Sequence, residues 1–233
     1  LIKNKIKIFK NWNIFTKKAN KEKNPFIFFI SYNKIIDPKS FKSANLINYH
    51  ASPLPKYRGG SPLNWQIINN EKKIGISVIK IDEGIDTGPI IENYNFRLLK
   101  KDNIIKLNKK VNKLFPPLLY KAIKKIKNNN SKILKKQKKG SYFPQRNKQD
   151  SKIDWKLMSN VQISNLIKAS NPNSYPAYFE NLKKKKIFIL KGEASNIKKK
   201  GYHPGQILNI KKNMFIKSRI GFLKIIEHKG KFY

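Results

Sequence analysis

The apolar positions fall into several short runs and one long periodic one. Phe26 to Tyr32 is an aromatic and β-branched run behind Asn24-Pro25, and it predicts a buried strand. Leu46 to His50 predicts a second strand. Ala51 to Pro55 ends it, because proline fixes φ and has no N–H to give a ladder. Gly75 to Ile81 and Pro89 to Phe96 predict two more, by composition rather than strict alternation. From Asp102 to about Lys127, Ile104, Leu107, Val111, Leu114, Leu118 and Ile123 recur at helical spacing. That predicts one long helix, capped by Asp102 and kinked or split at Pro116-Pro117. Asp37-Pro38 and Ser61-Pro62 each read as an N-cap followed by a first-turn proline. They predict a short helix ending near Ala44 and another over 63–68, closed by Asn69-Asn70. Upstream, Ile2, Ile6 and Ile8-Phe9 fit an edge strand and a helix start equally.

After residue 127 the pattern changes. Asn128 to Lys139 is polar and mostly basic, and reads as a linker. Beyond it come Ile153-Asp154-Trp155 and a helix around Val161 to Ala169. Short strands follow over Lys186–Leu190, Gly205–Ile210, Met214–Lys217 and Phe222–Ile226. Short strands at close spacing make a small β-barrel or sandwich, and the pattern alone leaves the two equal. The expected division is 1–127, a basic linker 128–141, and 142–233.

The chemistry gathers at two strand ends. Side chains two apart on a strand share a face, so Asn48 and His50 point together. Asp86 lies between Gly84 and Gly88, which let the backbone turn tightly after the third strand. Ligands of open, mostly parallel α/β sheets bind at such strand ends. An Asn, a His and an Asp converging there can run acyl transfer to an amine. Taken singly, each has a plainer reading: a backbone-bonded histidine, a strand-end asparagine, a turn carboxylate. Their joint placement favours function. His203 and His228 are isolated and read as structural, and Trp65 reads as core. No His/Asp/Glu set has metal-ligand spacing, and there is no Gly-x-Gly-x-x-Gly or Walker loop.

Charge changes the picture only in part. The net charge is +39, which suits a polyanionic partner. Yet only Arg58, Arg97, Arg146 and Arg219 are arginine, and specific phosphate recognition favours arginine's planar fork. Abundant Lys, Asn and Ile point to an AT-rich coding sequence and a solvated lysine surface. The chain has no cysteine, which excludes a disulfide framework, a thiolate metal site and a Cys nucleophile, and fits a reducing, cytoplasmic location. Its longest purely apolar run, Pro25 to Ile30, is far short of the ~20 residues of a membrane span.

Three blocks in register carry a resemblance. They are Asn48-Tyr49-His50, Ser52-Pro53-Leu54-Pro55-Lys56-Tyr57-Arg58-Gly59 and Asp86-Thr87-Gly88. Together they resemble the methionyl-tRNA formyltransferase family and its amino-sugar N-formyltransferase relatives, the folate-dependent formyltransferases. Weaker similarity runs on through Tyr142-Phe-Pro-Gln-Arg146, Ile153-Asp-Trp155 and His203-Pro-Gly-Gln-Ile207. The resemblance implies an α/β fold: a Rossmann-like formyltransferase domain followed by a small OB-like β-barrel. It also implies that the N-terminal part of the catalytic domain, with the first βαβ unit, is missing from this chain.

By the same resemblance, 10-formyltetrahydrofolate is the co-substrate and no metal is needed. Asn48 and His50 donate to the oxyanion, and Asp86 holds or charges His50 or accepts a proton through water. Tyr32, Asn33, Lys34, Ser52, Pro53, Leu54, Pro55, Asp82, Glu83, Gly84 and Ile85 match folate-contacting positions. The implied acceptor is methionyl-tRNA, with a nucleotide-linked amino sugar as the alternative. Gly60 favours the tRNA branch, since sugar-type relatives can carry arginine there, whereas Pro62 to Trp65 and Tyr142 to Arg146 look like the sugar branch. A third reading is a non-catalytic, lysine-rich nucleic-acid-binding module. The intact Asn48, His50 and Asp86 argue against it.

Overall fold

A computed structural model describes residues 11–30, 32, 34–128 and 134–232. The equivocal segment at Ile2 to Phe9 and the folate candidate Asn33 lie outside the described residues. In chain order the elements are α1 (Trp12–Ala19), β1 (Phe26–Ile30), β2 (Asn45–His50), β3 (Arg58–Gly59), α2 (Pro62–Ile68), β4 (Lys73–Lys80), β5 (Ile90–Arg97) and α3 (Ile104–Lys127). There follow β6 (Tyr142–Phe143), α4 (Asn160–Ala169), β7 (Ala177–Glu180), β8 (Lys186–Ser195), β9 (Ile207–Ile210), β10 (Asn213–Lys217) and β11 (Phe222–Lys229).

The first sheet runs β1-β2-β4-β5. Only β1 and β2 are parallel; β4 is antiparallel to both its neighbours. The sheet is therefore not mostly parallel among the described residues. The connection from β4 to β5 is the short loop 81–89, which can only return the chain antiparallel. One face is closed by Ile47, Ile74, Ile76, Val78 and Ile91 against Leu107, Val111, Leu118 and Ala122 of α3, with Leu63 and Ile67 of α2. At about 1.5–3 kcal/mol per fully buried aliphatic side chain, this cluster is the main anchor of the sheet. A smaller cluster of Ile27, Phe29, Phe41 and Leu46 holds β1.

Four local details depart from the sequence reading. Ser61 stands at the start of α2 at φ +49° but makes no side-chain cap bond, its hydroxyl instead accepting from Arg146 N. The helix expected after Asp37-Pro38 is one 3-10 turn, Pro38–Ser40. Asp37 does cap it, but Phe41 adopts extended backbone and is drawn into the β1 cluster, which stops the helix. The cap of α3 is Asn103, whose side chain accepts from Lys106 N at 3.0 Å, while Asp102 closes the preceding turn by accepting from Leu99 N. That helix is not split at Pro116-Pro117. Both prolines lie on its exposed side, where carbonyls left without a donor can meet water.

The C-terminal sheet is antiparallel throughout, in the order β7-β8-β11-β10-β9. Register shifts at Ile225–His228 bend it. Ile187, Ile189, Ile216, Leu223 and Ile225 pack on Ile163, Leu166 and Ile167 of α4, which opens with a Ser159/Gln162 capping box. Leu208, Phe215 and Phe222 form a further cluster.

The stretch expected as a linker is stitched to the first half over its described part. Ile90 N donates to Lys135 O, Tyr57 N to Ser141 Oγ and Arg58 N to Ser141 O. β6 pairs in parallel with β3. Trp65, half-buried rather than core, donates its Nε1–H to Pro144 O. Arg146 is buried and donates to Ala169 O, Asp150 O and Ser151 Oγ. Burial lowers its pKa, with nearby Asp150 opposing the shift. Residues 134–146 thus form a strap across the first half. A polar composition concealed this, because the contacts are mostly hydrogen bonds to backbone rather than apolar packing.

Candidate active site

β2 carries Asn48 and His50 on one face, and the loop after β4 brings Asp86 to them. Asn48 Nδ2 donates to Asp86 Oδ1 at 3.0 Å. Asp86 Oδ2 accepts from Gly59 N at 2.9 Å and lies 3.4 Å from His50 Nδ1. His50 Nε2 is 2.7 Å from Tyr57 O. A carbonyl can only accept, so Nε2 carries a hydrogen and Nδ1 faces the carboxylate. Nε2 is then occupied and Nδ1 is turned to the carboxylate at 3.4 Å, so direct donation from the ring to an oxyanion, as expected from the sequence, is not open in this arrangement. Asn48 retains a second amide hydrogen. His50 and Asp86 are nearly buried, with side-chain exposures of 8% and 10%, so their interaction is little screened. Asp86 sits at φ +54°, a left-handed conformation that is uncommon for a residue with a Cβ, though less so for aspartate.

The loop between β2 and β3 is fixed from within. Ser52 Oγ donates to Lys56 O at 2.8 Å, and Ser77 Oγ donates to Ser52 O at 2.7 Å. Tyr57 stacks on Phe143, with ring centroids 4.9 Å apart, and its hydroxyl donates to Glu71 at 2.7 Å. Burial, with that hydrogen bond, pushes the Tyr57 pKa up to about 12.

A cavity of ≈ 700 Å³ opens on this cluster. Asn48, His50 and Asp86 line it together with Tyr32, Lys34, Asp82, Gly84 and Ile85. Among the described residues, the other sequence-derived folate candidates do not. Ser52 is wholly buried, and Leu54 packs on Ile79 and Ile90. Pro53 and Pro55 line a separate cavity of ≈ 650 Å³. These four residues shape the loop and give the larger cavity no surface. Glu83 turns outward to Lys39, 2.9 Å away. Sequence reasoning missed Asn108 and Asn112 on α3, and Tyr142 and Gln145 on the strap, which also line the cavity. The two asparagines lie one helical turn apart, but among lysines they are indistinguishable from a solvated face. Among the described residues no cluster of three or more His, Cys, Asp or Glu could hold a metal ion.

Residues 12–123 match the formyl transferase family model, and residues 146–231 match its C-terminal domain. Methionyl-tRNA formyltransferase of Thermodesulfovibrio yellowstonii is 33% identical over 217 residues, covering 91% of this chain and 68% of that protein. The chain belongs to the formyltransferase family. A second relative of this formyltransferase is the bifunctional polymyxin resistance protein ArnA of Wigglesworthia glossinidia brevipalpis. It is 37% identical over 215 residues, covering 89% of this chain and 32% of that one. Among solved structures, WlaRD, a sugar 3N-formyl transferase crystallised with dTDP and 5-N-formyl-THF, superposes with a TM-score of 0.68 at 29% identity. That match covers 88% of this chain and 72% of the other. Formyltransferases of this family take the formyl group from formyltetrahydrofolate.

Proposed function

We propose that this formyltransferase moves the formyl group of 10-formyltetrahydrofolate onto the amino group of methionyl-tRNA. The observation that carries the chemistry is the Asp86 carboxylate, bonded to Asn48 and Gly59 N and facing His50 at the wall of the cavity. The neutral amine attacks the formyl carbon. The carbonyl oxygen becomes an oxyanion, which accepts a hydrogen bond from the second amide hydrogen of Asn48. A preorganised donor of this kind is worth about 3–4 kcal/mol in comparable sites. The Asp86–His50 pair accepts the proton the amine must lose. The C–N10 bond then breaks, and N10 of the folate recovers a proton. Tyr32, Ile85 and the Asp82–Gly84 turn offer an apolar and polar wall for the pterin, and ≈ 700 Å³ lies within the range of small-molecule sites.

The acceptor rests on two supports. The first relative above is a methionyl-tRNA formyltransferase, and the net charge of +39 concentrates a polyanion. Gly60 adds to them: a Cβ there would lie 2.3 Å from Gln145 Cα, so the arginine that sugar-type relatives can carry has no room. The sugar reading keeps its own support in ArnA and WlaRD. The proposed location is cytoplasmic; no helix among the described residues is long and apolar enough to cross a membrane.

The test is a side-by-side assay of this protein with methionyl-tRNA and with a dTDP-linked amino sugar. Formylation of the tRNA should be faster, and its KM should rise steeply between low and physiological salt through counterion release. Efficient sugar formylation with no product on methionyl-tRNA would establish the sugar reading instead.

A further inference from the structure

Gln137 joins the two loops that build the site. Its Nε2 donates to Asp86 O at 2.9 Å and to Gly88 O at 2.7 Å. Its Oε1 accepts from Arg58 Nε at 3.2 Å and from Arg58 Nη2 at 2.9 Å. Arg58 Nη2 also donates to Lys138 O at 3.0 Å, which fixes the guanidinium on the strap. A carboxamide has two donor hydrogens and two acceptor lone pairs, so every position of Gln137 is used.

Two of these partners, Arg58 and Asp86, adjoin or belong to the chemistry. Arg58 lies between Tyr57, whose carbonyl accepts from His50, and Gly59, whose N–H reaches the Asp86 carboxylate. On the other loop Gln137 grips the carbonyl of Asp86 itself, at the left-handed position. The start of that loop is held separately, by Asp82 accepting from Gly84 N and the Thr87 hydroxyl. Gln137 is hydrogen-bonded both to the end of the Asp86 loop and to the Arg58 side chain.

We propose that Gln137 is a positioning residue for formyl transfer. It pins the backbone of Asp86 while holding Arg58, and so sets the carboxylate against Asn48, Gly59 and His50. It acts through Asp86 and is not itself placed on the substrate. The kinetic part of this inference rests on the formyl-transfer reading above; the clamp itself does not.

Two variants separate this role from simple strap packing. Gln137→Met keeps the bulk and loses all four hydrogen bonds. Gln137→Glu keeps an acceptor for Arg58 but loses both donors and sets a carboxylate against two carbonyls. Amide hydrogen exchange on the full chain reads the clamp directly. The Gly59 amide should exchange about ten-fold faster or more in both variants, while the thermal midpoint stays within a few degrees. Unchanged protection of Gly59 would overturn the clamp, whether or not the chain transfers formyl groups.

Kinetics read the positioning. Gln137→Met should lower kcat about 10- to 100-fold with the KM for 10-formyltetrahydrofolate nearly unchanged, the scale expected for a small misplacement of a reacting group. In an Asp86→Ala background the same substitution should cost no more than about two-fold. Equal losses in both backgrounds would overturn the positioning role and leave Gln137 as general structure. If the parent chain transfers formyl to neither acceptor, the functional reading fails, and the exchange result alone decides the clamp.

Discussion

Gly59 and Asp86 are joined by one short hydrogen bond, from the Gly59 N–H to the carboxylate oxygen that also faces His50. Gly59 is at φ +91°, and a Cβ there would stand 2.3 Å from Phe143 O. Gly59→Ala should therefore push the β3 backbone away from β6 and withdraw the N–H from Asp86. The expected result is a loss of transfer activity of at least ~10-fold, with a fall of about 1–3 kcal/mol in stability. Wild-type values for both in a kinetic and melting comparison would show that the two strands can part without disturbing the carboxylate.

Asn48 offers a sharper comparison. Asn48→Asp preserves shape but replaces a donor 3.0 Å from Asp86 with a second carboxylate. Like charges that close raise the cost of ionising both. Asn48→Asp should transfer formyl groups more slowly than Asn48→Ala, because it adds repulsion to the lost donor. Kinetics of the two variants at neutral pH decide it, and the reverse order would remove the Asn48–Asp86 contact from the argument.

His50→Ala should lower kcat by at least ~100-fold while folate affinity changes little, since the loss falls at the transition state. Equilibrium binding of a folate analogue measured beside the rate separates the two quantities. A variant close to the wild-type rate would leave Asp86 alone to take the proton.

Tyr57 gives a pH signature independent of activity. Its pKa is pushed up to about 12, so the folded state holds the phenolic proton more tightly than the unfolded chain does. The associated stability is present in full below about pH 10 and is lost as pH rises from 10 through 12. Tyr57→Phe cannot ionise, so its urea midpoint should fall less steeply over that window, although it starts lower for want of the bond to Glu71. Lysine titration is common to both proteins and cancels. Parallel curves would contradict the raised pKa.

How much of this was legible follows the range of the interactions. The two-residue spacing of Asn48 and His50 and the glycines around Asp86 are local signals, so the sequence points to the residues the structure brings together. The long helix and α4 were legible for the same reason. The strap was not. Gln137 and Ser141 bind backbone and polar groups about fifty to eighty residues away, and no periodicity marks a side chain whose partners are those groups. Arg146 shares the difficulty: in a chain of 52 basic residues, nothing in its charge distinguishes it, the only Lys or Arg buried among the described residues. The folate assignment of Ser52 to Pro55 met the opposite problem. The motif is local and clear, but whether such a loop lines a cavity or props it from behind depends on Ser77 and Ile79 across the sheet.

The strap also orders events during synthesis. Asn48, His50 and Asp86 leave the ribosome early, with the sheet and α3 able to form behind them. The clamp at Gln137, the wall at Tyr142 and Gln145, and the Arg146 tie to Ala169 and Ser151 all lie further along the chain. A nascent chain ending at residue 127 holds the reacting side chains without Gln137 and the rest of the strap. The partners of the carboxylate itself are made first, and the grip on its backbone by Gln137 is added only once the second half of the chain has begun to emerge.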